Sequence, residues 1–216
     1  MKYKAVLFDL DGTLLDTLAD LAYSVNAVLN TYGYPEHAVD AYRYFVGEGI
    51  KVLVQRAFPV GTVSEENLDQ MVEAVEAEYA VRWIDHTLPY PGVPEMLSYL
   101  EEKDIPKAIL SNKPHKFTVK TTEALLPDWF FTAVYGIEDG MPKKPDPFGA
   151  LKILQGMGIE PHQALFLGDT GTDMVTATKG GLFPVGVLWG FRPAEELLKA
   201  GARALLNHPL EIKEII

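Results

Sequence analysis

Short apolar runs alternate with segments of helical periodicity along most of the chain. The first run, residues 4–10 (KAVLFDL), has no helical period and stops at turn-forming residues, which is typical of a buried strand. Similar runs cover 105–110, 131–135, 164–167 and 182–188. Helical patterns separate them, at 93–103, 116–126, 147–157 and 172–179. Strands that alternate with helices predict an α/β fold built on a parallel sheet.

One long segment departs from this alternation. Between residues 16 and 88, apolar residues recur at helical spacing in four stretches: 18–32, 38–46, 50–58 and 65–84. Gly33 follows the first stretch as a predicted C-terminal cap, and Thr62, Ser64 and Glu65 form a capping-box pattern before the last. The sequence therefore predicts a helical domain, 16–88, inserted after the first strand of a core formed by 1–15 and 89–216.

Composition and charge narrow the functional class. The 216 residues are 48% hydrophobic and 23% charged, which is an ordinary globular balance. The net charge of −11 argues against a nucleic-acid partner, which would need a basic face. The chain has no cysteine, so thiolate metal sites and a cysteine nucleophile are excluded. No apolar run is long enough for a membrane span and no signal-peptide pattern is present, so we expect a cytoplasmic protein without membrane contact. For its oligomeric state we expect a monomer or homodimer.

The strongest chemical signal is the string FDLDGTLLDT, residues 8–17. Asp9 and Asp11 lie two residues apart at the carboxyl end of the first predicted strand, and Gly12 then allows the backbone to turn. In open α/β sheets, ligands bind outside the carboxyl ends of the strands. A single aspartate here could be a turn or helix cap. Two carboxylates at the end of an apolar strand favour a functional site instead.

Three further polar sets follow later predicted strands. Ser111 and Asn112 could hold a phosphoryl oxygen or simply cap a helix. Lys143 and Lys144 could neutralise a developing charge or be solvated in their proline-rich loop. Asp169 and Asp173 supply oxygen ligands of the kind that Mg²⁺ prefers, but they could also belong to a capped turn.

The string DLDGT together with these three sets resembles the haloacid-dehalogenase-like hydrolases along the whole chain. The resemblance implies a Rossmann-like core with a small helical cap, and a Mg²⁺-dependent phosphatase that works through an aspartyl-phosphate. It assigns Asp9 as the nucleophile and Asp11 as the general acid and base. Ion-pumping ATPases and dehalogenases of this superfamily differ at the second aspartate, which excludes both.

The resemblance also distributes the remaining roles. Ser111 is implied to be catalytic and, with Asn112, to bind substrate. Lys144 is implied to be the catalytic cation rather than Lys143, because the family pattern is lysine followed by proline. The implied metal ligands are Asp9, the backbone carbonyl of Asp11, Asp169, and Asp173 directly or through water.

Within the superfamily, several strings are similar to those of phosphoglycolate phosphatases, among them FVGEGIKVLVQRA (45–57), GMGIEPHQALFLGD (156–169) and VLWGFRPAEEL (187–197). The resemblance implies that the substrate is 2-phosphoglycolate or another small phosphorylated metabolite. Gly47 and Gly49 are candidate substrate-binding residues because glycine lets backbone approach a small anion, although a plain turn between helices would also explain them. The alternatives are a pyrophosphatase or another small-phosphate phosphatase, a β-phosphoglucomutase-like mutase, and a non-catalytic binding module.

Overall fold

The computed structural model describes residues 3–138 and 140–216, which fall into two compact units. The sheet unit comprises Met1–Leu15 and Pro89–Ile216, and the helical unit comprises Asp16–Leu88. Within the described residues, no helix has both the length and the apolar character that a membrane crossing requires.

The described residues of the two units form eight strands and eight α-helices. The strands are β1 Ala5–Phe8, β2 Leu15–Asp16, β3 Leu88–Pro89, β4 Lys107–Pro114, β5 Ala133–Ile137, β6 Ala164–Gly168, β7 Phe183–Val187 and β8 Ala204–Leu206. The helices are α1 Leu18–Thr31, α2 Ile50–Ala57, α3 Glu65–Arg82, α4 Val93–Glu102, α5 His115–Leu125, α6 Phe148–Met157, α7 Gly171–Gly180 and α8 Ala194–Lys199. Short 3₁₀ helices cover Val39–Tyr44, Pro161–Gln163 and Pro209–Glu214.

The sheet unit contains six parallel strands in the order β5-β4-β1-β6-β7-β8. Successive residues of β1 face opposite cores. Val6 and Phe8 belong to the cluster that includes Met96 of α4, whereas Leu7 belongs to the cluster that includes Ile153 of α6. Because both faces of the sheet are covered, β1 reads as an unbroken apolar run. The predicted α/β, Rossmann-like fold is confirmed.

The strand order places β1 at the point where the sheet grows in two directions. Phe8 pairs with Ile109 of β4 on one side and with Leu167 of β6 on the other. From β4 the sheet continues to β5, and from β6 it continues to β7 and β8. The carboxyl end of β1 is therefore a topological switch point, which is where open α/β sheets form a crevice for ligands.

The helical unit is built from α1, α2, α3 and the 3₁₀ helix Val39–Tyr44. Helix α1 packs against α3 and the 3₁₀ helix, and α2 packs against α3. Ser64 precedes α3 as its N-cap, and its backbone N–H donates to Asn67 Oδ1 at 2.7 Å. The reciprocal partner in this capping box is thus Asn67, three residues along the helix, rather than Glu65.

Some elements differ from the sequence-based prediction. Strand β4 continues through Pro114 with a register irregularity after Leu110, and α5 begins only at His115. Ser111 and Asn112 therefore lie within a strand, and the helix-cap interpretation of these residues is wrong. Strand β8 and helix α8 were not predicted, since β8 has only three residues and forms by pairing with β7.

Candidate active site

Asp9 follows β1 at the switch point and is buried together with Lys144. Asp9 Oδ1 accepts hydrogen bonds from Leu10 N at 2.7 Å, and it lies 2.9 Å from Lys144 Nζ. Both contacts hold the carboxylate in one orientation. Lys143, the neighbouring lysine, has an exposed side chain. The structure thus brings Lys144, and not Lys143, to the first aspartate.

Lys144 also contacts Asp173, at the beginning of α7. Lys144 Nζ donates to Asp173 Oδ1 at 2.6 Å, while Asp173 Oδ2 accepts from the backbone N–H and the hydroxyl of Thr170 at 3.0 and 2.7 Å. Asp173 therefore caps its own helix and fixes Lys144 at the same time. Because both of its oxygens are engaged, its own position favours contact with a metal through water over direct ligation.

Asp9, Asp169 and Asp173 form a buried cluster in which one ligand oxygen from each residue lies within 4.8 Å of the others. Oxygen donors of this kind suit Mg²⁺, which keeps several waters and needs few protein ligands. The donor chemistry of these residues fits the predicted Mg²⁺ ion. Asp11, whose implied ligand is its backbone carbonyl, follows Asp9 by two residues.

Asp169 is held by two loops. Its Oδ1 accepts from the Thr13 hydroxyl at 3.3 Å, and its Oδ2 accepts from Phe191 N at 2.9 Å. Gly12 has a φ of +84°, and a Cβ at this position would collide with the Asp169 carboxylate. Glycine is therefore required at position 12 both for the turn and for the close approach of Asp169. The sequence predicts neither of these two contacts.

Ser111 and Asn112 have different surroundings, although both are buried. Ser111 Oγ accepts from Lys113 N at 3.2 Å, so its hydroxyl hydrogen can point toward another acceptor. Asn112 exchanges two hydrogen bonds with the backbone of Lys144: Asn112 Nδ2 donates to Lys144 O at 3.0 Å, and Lys144 N donates to Asn112 Oδ1 at 2.9 Å. The Asn112 side chain thereby positions the lysine that contacts Asp9. Its predicted role in substrate binding stays a prediction.

Asp11 forms an ion pair that sequence reasoning missed. Lys113 Nζ lies 3.0 Å from Asp11 Oδ1 and 3.1 Å from Oδ2. The lysine side chain is 3% exposed and the aspartate side chain 18%. The only sequence signal was the position of Lys113, two residues beyond Ser111.

The electrostatics of the cluster differ from those of ordinary surface carboxylates. Burial raises the pKa of Asp9 to about 7, against the opposing charge of Lys144. Burial, together with the charges of Asp173 and Asp9, also raises the pKa of Asp169 well above its ordinary value. Burial by itself would lower the pKa of Lys144, but the charges of Asp173 and Asp9 outweigh it, so the net shift is upward. Such buried, mutually repelling acids mark a site that is prepared for a cation.

Gly47 and Gly49, the predicted substrate-binding glycines, lie in the helical unit between Val39–Tyr44 and α2. Their φ angles are +107° and +92°, and Gly49 is the N-cap of α2. Backbone of this conformation favours glycine whether or not it binds a ligand. Their role in substrate binding stays a prediction.

The chain is similar to proteins of known family. The sequence model of the family described as "Haloacid dehalogenase-like hydrolase" matches residues 6–187. A phosphoglycolate phosphatase from Pseudomonas putida is 34% identical over 191 residues, which cover 87% of this chain and 70% of that protein. A phosphoglycolate phosphatase from Aquifex aeolicus is 30% identical over 188 residues, covering 87% of this chain and 86% of that protein.

The fold has close counterparts among solved structures. A predicted phosphoglycolate phosphatase from Haemophilus somnus superposes with a TM-score of 0.92 at 26% identity, covering 100% of this chain and 98% of that one. The match of the family model extends from within β1 to the end of β7, and so includes the string DLDGT and the three later polar sets on which the resemblance to this superfamily was based. That resemblance is confirmed, and so is the prediction of an enzyme: the chain belongs to the haloacid dehalogenase-like hydrolases.

Proposed function

We propose that this hydrolase is a Mg²⁺-dependent phosphatase that acts on 2-phosphoglycolate or a similarly small phosphate monoester through an aspartyl-phosphate. The observation that carries the proposal is the buried contact of Lys144 Nζ with Asp9 Oδ1 at 2.9 Å, next to Asp169 and Asp173 at the switch point of the sheet. The relatives named phosphoglycolate phosphatase support the choice of substrate.

In the proposed reaction, Asp9 attacks phosphorus and the alcohol leaves. The hydrogen bond from Leu10 N and the contact with Lys144 orient the carboxylate before substrate arrives, so that little reorganisation is needed during attack. Lys144 then faces the charge that develops on the transferred group. Ser111 donates its hydroxyl hydrogen to a phosphoryl oxygen.

Asp11 protonates the leaving alcohol and later takes a proton from the water that hydrolyses the aspartyl-phosphate. It suits both tasks because it is the more exposed of the two aspartates, at 18% against 7% for the Asp9 side chain. An acid that acts on a departing alcohol and an entering water must face the open side of the site.

Asp9, Asp169 and the backbone carbonyl of Asp11 would hold Mg²⁺, with Asp173 contributing through water. Bound Mg²⁺ supplies positive charge next to the phosphoryl oxygens and favours the ionised form of the buried carboxylates. The raised pKa of Asp9 makes this important, because Asp9 can attack only as the carboxylate.

The test is turnover of a substrate panel by the purified chain in Mg²⁺, measured as release of inorganic phosphate and, for glucose 1-phosphate, also as loss of that ester. The panel contains 2-phosphoglycolate, p-nitrophenyl phosphate, pyrophosphate and glucose 1-phosphate with a bisphosphate primer. We expect the highest kcat/KM for 2-phosphoglycolate, by at least about tenfold. A higher value for pyrophosphate, or conversion of glucose 1-phosphate without phosphate release, would favour the pyrophosphatase or the mutase.

A second measurement addresses the intermediate. Acid quenching during turnover of radiolabelled substrate should trap labelled protein, and hydroxylamine should release the label because it cleaves acyl phosphates. Asp9→Asn should not become labelled. Labelling that survives hydroxylamine would contradict an aspartyl-phosphate.

A further inference from the structure

Lys113 is a buried cation in the active site to which the proposed reaction gives no task. Its side chain is 3% exposed, and its Nζ lies at nearly equal distances, 3.0 and 3.1 Å, from the two oxygens of Asp11. Burying an ammonium group is costly unless it is paired. A purely structural strand end could carry an apolar residue here, so the charge calls for an explanation.

The position of Lys113 relative to the leaving alcohol follows from that of Asp11. An acid that protonates the ester oxygen must lie within hydrogen-bond distance of that oxygen. An ammonium group about 3 Å from both oxygens of this acid therefore lies beside the first atoms of the leaving alcohol. Lys144, by contrast, contacts Asp9 and Asp173 and so serves the transferred phosphoryl group.

We infer that Lys113 is a specificity-determining residue that binds a carboxylate on the carbon next to the ester oxygen of the substrate. Such a carboxylate is close enough to the ester oxygen to replace Asp11 as the partner of Lys113. The exchange keeps the lysine paired and frees Asp11 to act on the alcohol. The inference rests on the proposed function and narrows the substrate class to phosphate esters of small 2-hydroxy carboxylates.

The charges of the site agree with this assignment. Four carboxylates, those of Asp9, Asp11, Asp169 and Asp173, surround the reacting centre, and Lys113 and Lys144 are the lysines whose Nζ atoms contact them in the described part of the chain. A substrate that carries a carboxylate besides its phosphate would be repelled by such a site unless a cation faced that carboxylate. Lys113 faces the leaving-group side and supplies this charge.

The experiment compares two esters of the same shape that differ in charge. Carbamoylmethyl phosphate replaces the carboxylate of 2-phosphoglycolate by a neutral amide with the same number of heavy atoms. For the unmodified chain we expect kcat/KM to be about 10- to 100-fold higher for 2-phosphoglycolate, the range that a charge-assisted hydrogen bond typically supplies. A ratio near one would overturn the inference without any variant being needed.

Lys113→Met then tests whether this lysine causes the preference. The variant should lose about 10- to 100-fold in kcat/KM for 2-phosphoglycolate, mainly through KM, and much less for the amide, so that the ratio approaches one. Lys113→Arg should recover part of the preference because it restores the charge. Lys116→Met, which changes an exposed lysine three residues further on, should keep the ratio of the unmodified chain.

The outcomes separate this inference from the proposed function. If neither ester is hydrolysed, the proposed function fails. Lys113→Met could instead lower kcat/KM equally for both esters, through kcat, while circular dichroism shows a folded chain. In that case Lys113 only positions Asp11, so the inference is wrong although the proposed phosphatase activity stands. If Lys113→Met does not fold, the ratio of kcat/KM for 2-phosphoglycolate to that for carbamoylmethyl phosphate, measured in the unmodified chain and in Lys113→Arg, still tests the inference.

Discussion

Asp20 of the helical unit and Asp169 of the sheet unit are both completely buried, yet their surroundings differ. Asp20 accepts hydrogen bonds from His86 N, Thr87 N and the Thr87 hydroxyl, at 2.6 to 3.0 Å, so one short segment satisfies the whole carboxylate. Asp169 accepts one backbone and one hydroxyl hydrogen bond and has Asp9 and Asp173 beside it.

The two surroundings distinguish a structural acid from a functional one. A buried carboxylate that its own unit surrounds with donors stabilises the fold. A buried carboxylate placed next to like charges raises the free energy of the folded state, and such a position persists where binding or catalysis needs it. Burial first, and the charges of neighbouring carboxylates after it, raise the pKa values of Asp9 and Asp169. Substitutions at these positions and at Asp20 test the contrast.

The largest effect is expected for Asp9→Asn. An amide cannot attack phosphorus at a useful rate, so kcat should fall by at least about a thousandfold while the chain stays folded. Phosphate release and circular dichroism check both parts. Asp146→Asn, at an exposed position two residues after Lys144, is the control and should retain activity. Turnover by Asp9→Asn close to that of the unmodified chain would remove Asp9 from the mechanism.

Asp11→Asn should cost about 10²- to 10⁴-fold for 2-phosphoglycolate, the usual range for a general acid or base. The variant keeps the backbone carbonyl but loses the proton shuttle. In single-turnover phosphorylation, the loss should be smaller for p-nitrophenyl phosphate, because p-nitrophenolate leaves without a proton. Equal losses for the two esters in that step would show that Asp11 is not the acid.

Asp169→Asn is expected to separate activity from stability. The Mg²⁺ concentration for half-maximal rate should rise by about tenfold or more, and Asp173→Ala should raise it less, since Asp173 contacts Lys144 and Thr170. In EDTA, which should abolish activity, the melting temperature of Asp169→Asn should equal or exceed that of the unmodified chain because one of three like charges is gone. Ca²⁺ should replace Mg²⁺ poorly. Full activity in EDTA would contradict the metal site.

A smaller effect, on selectivity, is expected for the glycines of the helical unit. If this loop recognises the substrate, Gly49→Val should lower kcat/KM for 2-phosphoglycolate more than for p-nitrophenyl phosphate. The ratio of these two kcat/KM values should fall by roughly tenfold. Valine is strained at a φ of +92°, so a control with equal strain is needed. Gly61→Val provides it, because Gly61 has a φ of +85° and open space around a Cβ. A change of the ratio in both variants would mean that strain, not recognition, is responsible.

The smallest effect on turnover is expected for Asp20→Asn. The amide leaves donors of the segment His86–Thr87 without an acceptor, which should lower the free energy of unfolding by roughly 1–3 kcal/mol. Activity of the folded variant on p-nitrophenyl phosphate should change less than about threefold. Urea unfolding and initial rates measure the two quantities. A large loss of activity without loss of stability would reverse the contrast between Asp20 and Asp169.

Much of the fold and of the site could be predicted from local sequence. The apolar run of β1 and the two acids that follow it are adjacent in the chain, so period and turn chemistry are sufficient to place Asp9 and Asp11 at a strand end. The same reasoning identified the helices of 16–88 and the strand end that precedes Asp169. These features depend on interactions between residues that are close in the chain, and the local sequence pattern shows such residues directly.

The tertiary structure decided which side chains contact one another across the sheet. Lys113 meets Asp11, 102 residues away, and Asn112 holds the backbone of Lys144, 32 residues away. Phe191 reaches Asp169 through a loop that follows β7. Such contacts depend on strand order and on the register between β1, β4 and β6, which local periodicity does not encode, because many registers bury the same apolar residues while only one aligns these polar groups.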